Sequence, residues 1–448
     1  MLEAVAVAQR GGGWAESGLP GATGVRFHSA RVRPGDAFFA LPGAAQHGLE
    51  HAAAALAAGA AYVVSDRPHP QGVTVPDPAG LLLALGRDAR SRFQGVVIGV
   101  TGSAGKTTCK ALLGAALAAR TTPGNRNTPL ALAEFLVDTE LAGVAGGADA
   151  SSVGAGARLV LELGIDHPGE MDALLALAKP THAVVTLIAP SHLEALGSVA
   201  GVAREKLKLV DAAGYAFVSA RAAGFLNAAQ RQKTTTYGLN NDFGDGAGSA
   251  DVTGDLSEIT PSGQTLSALG TSVRLPFVGA ALAEGALAAI AVAAHLGDDL
   301  GAAAKQLSGA RLEPGRLHVQ PLGALTLIDD SYNSSPAAAA AALETLAHFP
   351  RPHSAVLSDM LELGADSARY HEDLGKLTLS LERVIAIGPE MRALKQANPN
   401  AHHLETFDLS ALAPLLPERG TLLVKGSRGG RLERLVSYLN TRLGPVDA

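Results

Sequence analysis

Between Gly99 and Thr108 the chain reads Gly-Val-Thr-Gly-Ser-Ala-Gly-Lys-Thr-Thr. Glycines let backbone N–H groups crowd around an anion, and the positive end of a following helix adds to the attraction. Gly102, Ser103, Ala104, Gly105, Lys106, Thr107 and Thr108 are therefore the expected contacts of a nucleotide triphosphate. Lys106 would reach the outer phosphates, and the Thr107 hydroxyl would help to hold Mg²⁺. The usual loop of this kind has a glycine five residues before Gly105, where this chain has Val100. An ordinary glycine-rich turn is the alternative reading.

Other groups stand where strands are expected to end. Glu162 follows Leu159-Val160-Leu161, and His192 comes just after Thr186-Leu187-Ile188. A carboxylate and an imidazole at neighbouring strand ends can both approach a metal near a phosphate cradle. Taken singly, each reads first as an ordinary polar residue at a strand end. In the last third of the chain, Asp329, Asp330, Asp359 and the run Lys425-Gly426-Ser427-Arg428 hold similar positions.

The elements that must position these groups follow from pattern. The β-branched run Val96 to Ile98 reads as a buried strand feeding the glycine loop, and Lys106 opens a helix. Further strands are expected at 158–163, 183–187 and 216–219, with helices between them, which implies a parallel sheet with crossover helices. Before it, residues 33–64 read as a turn, a short apolar strand, an alanine-rich helix and a second strand. After it, strands at 325–328, 355–357, 384–387 and 421–424 make a second open α/β sheet. The expected fold is thus α/β in three domains. A small α/β domain (1–94) and a Rossmann-like carboxyl-terminal domain (314–448) flank a central P-loop parallel-sheet ATPase domain (95–313). The stretch 234–277 reads as hairpins or loops at the edge of the central domain and includes the acidic, glycine-rich part 242–255. The glycine- and alanine-rich segment 142–156 reads as a mobile loop.

The bulk properties exclude several classes. A chain of 448 residues exceeds one ordinary core. A net charge of −6 argues against general nucleic-acid or membrane-surface binding. A single cysteine, Cys109, allows no intrachain disulfide and no thiolate metal cluster. The longest apolar stretch, 276–294, is interrupted by Glu284 and two glycines and reads as a buried helix, not a membrane span. No signal peptide is visible at the start, so a cytoplasmic location is expected.

The loop from Gly99 to Thr108 makes the chain resemble the Mur ligase family, ATP-dependent amide-bond ligases of bacterial peptidoglycan synthesis. The resemblance runs over nearly the whole chain. Arg33-Pro34-Gly35-Asp36 is similar to the amino-terminal domain that holds a UDP-sugar. Glu162-Leu163-Gly164 with Gly169-Glu170 is similar to the segment with the metal-binding glutamate. Asp330-Ser331-Tyr332-Asn333 with Pro336, Asp359 to Gly364, and Lys425-Gly426-Ser427-Arg428 look like the carboxyl-terminal motifs of the dipeptide-adding branch. Departures are present. The amino-terminal Asp-Ser-Arg is His28-Ser29-Ala30, and the asparagine-rich loop 124–130 is short. Thr-Asn-Ile-Gly is Thr186-Leu187-Ile188-Ala189, Gly-x-His is Gly279-Ala280-Ala281, and Asn-Pro is Ser335-Pro336.

The resemblance implies that ATP and Mg²⁺ are used to join UDP-N-acetylmuramoyl-tripeptide to D-alanyl-D-alanine through an acyl phosphate, by a monomer. Lys106, Lys206 and His192 would be catalytic. Lys206 matches the family lysine that becomes carbamylated; a solvated helix lysine is its alternative. Thr107, Glu162 and His192 would hold the metal. Arg316, Asp330 and Asn333 would approach ATP from the third domain, although Arg316 also reads as a hinge-surface charge. Ser29 and Asn125 would bind the UDP-substrate. Lys425 and Arg428 would pair with the dipeptide carboxylate, or else be solvated strand-end charges. Two other classes remain as alternatives: a ligase of the same fold with another amino-acid acceptor, and a P-loop regulator without ligase chemistry. Amine-dependent phosphate release separates a ligase from a slow unassisted hydrolase.

Overall fold

The computed structural model describes residues 1–43, 46–144, 156–240 and 250–444. Most of the segment 142–156, and the start of the acidic stretch 242–255, lie outside the described residues. Three α/β sheets of five, nine and six strands carry the fold. By internal contacts the chain divides into two compact units. The first comprises Met1–Gly99, Ala119–Leu163 and Met171–His182, and the second comprises Val100–Ala118, Gly164–Glu170 and Ala183–Ala448.

The five-stranded sheet lies in the first unit, in the order Trp14–Ala15, Gly72–Thr74, Tyr62–Ser65, Asp36–Phe39, Gly24–Arg26. Only its first pair is antiparallel. The Arg33 to Asp36 turn feeds its strand directly: Gly35 has φ 89°, and the Asp36 carboxylate accepts from the Arg33 N–H at 2.8 Å. In the same unit the helix Pro78–Arg92 begins at Asp77, whose side chain accepts from Gly80 N–H. This helix packs closely on helix Pro129–Val144. A Cβ added at Gly86 would lie 2.7 Å from Ala133.

The nine-stranded sheet runs Thr271–Leu275, Gly263–Ala268, Val252–Thr260, Thr234–Leu239, Tyr215–Ser219, His182–Val185, Val96–Thr101, Arg158–Glu162, Arg120–Thr121. The strands expected from 96 to 219 are present. The edge expected of 234–277 is only partly a meander. Val252–Thr260, Gly263–Ala268 and Thr271–Leu275 pair antiparallel, whereas Thr234–Leu239 pairs parallel with both its neighbours. The intervening turn Ala220–Phe225 and short helix Ala228–Arg231 provide the crossover that parallel pairing requires. Helix Ala280–His295 is buried along most of its length, as its alanine-rich sequence predicts. Among the described residues no helix is long and apolar enough to cross a membrane.

The six-stranded sheet runs His318–Leu322, Leu325–Asp330, Gly420–Lys425, His353–Ser358, Arg383–Ile387, His402–Leu404, parallel except at the first pair. Its apolar core includes Leu327, Val356, Ile385, Leu422, Val424 and Leu435. Asp330 and Lys425 end neighbouring strands in register with each other. Two charged groups are thereby brought to one sheet edge by backbone pairing alone.

Candidate active site

In the second unit the phosphate loop leads into helix Lys106–Ala116, whose cap, Gly105, is left-handed at φ 79°. Gly102 adopts φ 152°, and a Cβ there would lie 2.1 Å from Thr186 Oγ1. Both glycines are thus required by geometry. The Thr186 hydroxyl donates to the Ala104 carbonyl at 2.5 Å and lies 3.3 Å from that of Thr101. Ser103 donates its N–H to the Leu187 carbonyl at 2.7 Å and its hydroxyl to the Ala189 carbonyl at 2.8 Å. The Ser191 hydroxyl adds a bond to Ser103 Oγ at 2.9 Å. The loop is therefore clamped by the segment 186–191. Lys106 folds back so that Nζ donates to the Gly102 carbonyl at 2.8 Å. Thr107 and Thr108 are buried in the first helical turn, whose N–H groups lie beyond the helix's own ladder.

Lys206, on helix Val199–Ala212, is fully buried, and its Nζ has no hydrogen-bond partner among the described residues. Burial holds the ammonium well below the usual lysine range, and the Lys106 charge pushes the same way; Asp166 and Glu205 oppose them weakly. The solvated-lysine alternative is thereby excluded. Glu205 accepts from the Gly169 N–H at 2.9 Å and pairs with Lys208 at 2.8 Å.

His192 has φ 50° and caps the short helix Leu193–Leu196. Its Nδ1 meets Glu362, and its Nε2 lies 3.3 Å from Asp166 Oδ1. Among the described residues no group of three or more His, Cys, Asp or Glu side chains could hold a metal by itself. The Thr107 hydroxyl and the His192 ring are donor types that fit Mg²⁺, which takes many of its ligands from phosphates and water.

Further along this unit, Lys425 Nζ donates to Asp330 Oδ2 at 2.6 Å and to the Asn333 carbonyl at 3.0 Å. Lys425 is buried, so it is not a solvated strand-end charge. Burial pushes the Asp330 carboxyl up, and Lys425 pulls it back; its other oxygen accepts from Leu317 N–H at 3.2 Å. Tyr332 is tied by its N–H to the Gly315 carbonyl, with Gly315 at φ 75°. The Arg316 guanidinium stacks 4.0 Å from the Tyr332 ring centroid, and Arg428 lies 5.8 Å from it. Arg316, Asp330, Asn333, Lys425 and Arg428 thus form one cluster, of which Asn333 and Arg428 are exposed.

The first unit holds the remaining expected residues. Glu162 ends strand Arg158–Glu162; its N–H donates to Thr122 Oγ1 at 3.1 Å, and Asn127 lies 3.5 Å from Oε1. Asn125 is exposed. Ser29 opens the turn Ser29–Arg31 beside a cavity of about 490 Å³ whose lining includes Arg26, Arg31, Arg33, Arg120 and Arg126. Arg26 pairs with Asp138 at 2.5 Å and Asp36 at 3.3 Å, and Arg126 pairs with Glu134 at 2.8 Å. Burial pushes the Glu134 and Asp138 carboxyls up, while Arg26 draws both down. Sequence reasoning missed this cavity, the Thr186 clamp and the two carboxylates on His192. Glu362 lies inside the quoted motif Asp359 to Gly364, which was the available signal. The arginines carry no spacing that would have marked them.

Comparison with known proteins agrees with this geometry. Family descriptions match in three stretches: "Mur ligase family, catalytic domain" at residues 22–81, "Mur ligase middle domain" at 100–293, and "Mur ligase, glutamate ligase domain" at 315–428. The UDP-N-acetylmuramoyl-tripeptide--D-alanyl-D-alanine ligase of Escherichia coli is 30% identical, covering 91% of this chain and 92% of its own. The protein of the same name from Bacillus subtilis is also 30% identical, covering 93% of each. The crystal structure of MurF from Acinetobacter baumannii superposes with TM-score 0.80 at 27% identity over 98% of both chains. That of MurF from Thermotoga maritima in complex with ADP gives 0.76 at 25% identity, over 94% of this chain and 97% of that one. With similarity at this level from end to end, the three-domain chain belongs to the Mur ligase family.

Proposed function

We propose that the chain is the ATP-dependent ligase that joins D-alanyl-D-alanine to UDP-N-acetylmuramoyl-tripeptide in peptidoglycan precursor synthesis. The observation that carries this reading is the clamped phosphate loop, with Lys106 at its end and a buried amine, Lys206, within reach of the Lys106 charge. Relatives of the same name, matched over nine-tenths of the chain, supply the substrates. The domain boundaries are 1–94 for the UDP-sugar, 95–313 for ATP and 314–448 for the amine. The enzyme works as a cytoplasmic monomer.

In the reaction, an oxygen of the tripeptide's terminal carboxylate bonds to the γ-phosphorus of ATP, and the bond to ADP breaks. The dipeptide amine then attacks the acyl carbon, loses its proton, and phosphate leaves. Both steps gather negative charge on oxygen, which Lys106 and the helix N-terminus offset. A divalent cation would add positive charge at the phosphate oxygens, with Thr107 and His192 among its ligands. Lys206 suits carbamylation. Its burial favours the neutral amine, whose nitrogen adds to the carbon of CO₂ and releases a proton. The resulting anion lies in the field of Lys106. Arg316, Asp330 and Asn333 address the nucleotide. Ser29, Asn125 and the arginine-lined cavity suit a polyanionic UDP-sugar.

Because Asp330 takes up the Lys425 ammonium, Lys425 serves the dipeptide site by fixing the loop 330–336. The exposed Arg428 is left to meet the dipeptide carboxylate, for which a guanidinium gives a bidentate fit. The test is phosphate release with ATP and UDP-N-acetylmuramoyl-tripeptide. D-Alanyl-D-alanine should drive it; D-glutamate, L-lysine and diaminopimelate should not. Turnover with a single amino acid and none with the dipeptide would overturn the assignment.

A further inference from the structure

His192 and Glu362 face each other, and both have left-handed backbones, at φ 50° and φ 64°. Neither is glycine, so each conformation is strained and persists only where its surroundings enforce it. Here the surroundings do so. The Glu194 N–H approaches the Glu362 carbonyl at 3.4 Å. A Cβ built on Gly364 would stand 3.6 Å from the same nitrogen of Glu194. The segment 362–364, which follows strand His353–Ser358, is thus seated on the turn that carries His192.

We propose that Glu362 is a positioning residue for His192. It accepts the proton on Nδ1 and thereby fixes the ring and its tautomer, so that Nε2 presents a lone pair to a divalent cation beside the nucleotide. This rests on the reading of His192 as a metal ligand. A neutral imidazole donates from one nitrogen and accepts at the other. With Nδ1–H given to Glu362, Nε2 is the acceptor, and it faces another acceptor, Asp166 Oδ1, at 3.3 Å. Two acceptors at that separation repel unless a proton or a cation joins them. A cation can take the place of that proton on the Asp166 side of the ring, while the Glu362 side orients it. Histidine ligands elsewhere are held in this way by an outer carboxylate. Glu362 belongs to the six-stranded sheet's connections, whereas His192 follows a strand of the nine-stranded sheet. Metal affinity is thereby coupled to the seating of segment 362–364.

The test uses Mn²⁺ as a paramagnetic probe, titrated into the full chain with ADP and read by electron paramagnetic resonance. Glu362→Ala should weaken Mn²⁺ binding about 10- to 100-fold. Glu362→Gln, which keeps an acceptor for Nδ1–H, should recover most of that loss. His192→Ala should weaken binding, and adding Glu362→Ala to it should cost nothing more. Unchanged Mn²⁺ affinity in Glu362→Ala beside a weakened His192→Ala would overturn the role of Glu362 alone. Additive losses in the double variant would do the same. Unchanged affinity in His192→Ala would overturn the metal assignment as well.

Discussion

The buried pair between Lys425 and Asp330 gives a prediction whose size follows from geometry. Lys425 Nζ lies 2.6 Å from Asp330 Oδ2, and the two side chains are 2% and 15% exposed. Lys425→Met removes the cation and leaves a buried carboxylate with one remaining bond, from Leu317 N–H. Breaking a pair of this kind costs about 3–5 kcal/mol. For a cooperative block of 150–250 residues, each kcal/mol lowers Tm by about 2–4 °C, so a fall of roughly 6–20 °C is expected. The double variant Lys425→Met/Asp330→Asn removes the stranded charge and should regain most of the loss. Acidity provides a second check. Burial already holds the Asp330 carboxyl above its ordinary 3.8. A carboxyl raised in the folded state binds more protons folded than unfolded. Its cost is therefore present above the folded pKa and fades as pH falls through the window down to 3.8. The deficit of Lys425→Met should thus shrink in acid. Calorimetric scans of the wild type, single and double variants over a pH series measure all of this. A single variant within a degree of wild type, or a double variant worse than the single, would refute the reasoning.

Three further outcomes are expected. Lys106→Ala should lower kcat by about 10²–10³-fold while thermal unfolding is unchanged, since it removes one preorganised charge; near-normal phosphate release by the folded variant would remove the assignment. Lys206→Ala should lose most activity and regain part of it with a short carboxylic acid in the buffer, and full activity without added acid would count against a carbamate. Gly102→Ala places a Cβ 2.1 Å from the Thr186 hydroxyl at φ 152°. Strain of about 1–3 kcal/mol should weaken ATP binding roughly 5- to 150-fold, as read by isothermal titration, and unchanged affinity would mean that the loop relaxes freely.

What could be read from the sequence is what depends on near neighbours. The strand into the glycine loop, the Lys-Thr-Thr helix start, the buried alanine-rich helix and the charges at strand ends all rest on periodicity, small residues or positions a few residues apart. The groups that complete the site lie far along the chain. Lys425 and Asp330 are 95 residues apart, and Thr186 and Ala104 are 82 apart. Glu362 reaches His192 across 170 residues. The arginine-lined cavity draws on residues 26–33, 120–126 and 134–138, three stretches with no shared period. Parallel pairing of Thr234–Leu239 was likewise hidden, because a β-rich stretch does not reveal which strand it will join.

The departures from the family pattern have a physical explanation in the same contacts. Leu187 and Ala189 stand where other members carry asparagine and glycine, yet both grip Ser103 through their backbone carbonyls. Carbonyls survive any side-chain change that leaves the backbone path intact. The side chains of the clamp are those of Thr186, which is retained, and Ser191. At the amino-terminal end, Ala30 stands where the pattern has an arginine, but Arg26, Arg31 and Arg33 line the cavity on either side of it. A cavity selects for positive charge within reach of its ligand, not for the position on the chain from which that charge comes. A guanidinium on a long, flexible stem can serve it from a neighbouring residue. Substitutions at 30, 187 and 189 are therefore compatible with a working site, whereas a side chain at Gly102 would collide with Thr186, and loss of Thr186 would remove its bond to the Ala104 carbonyl.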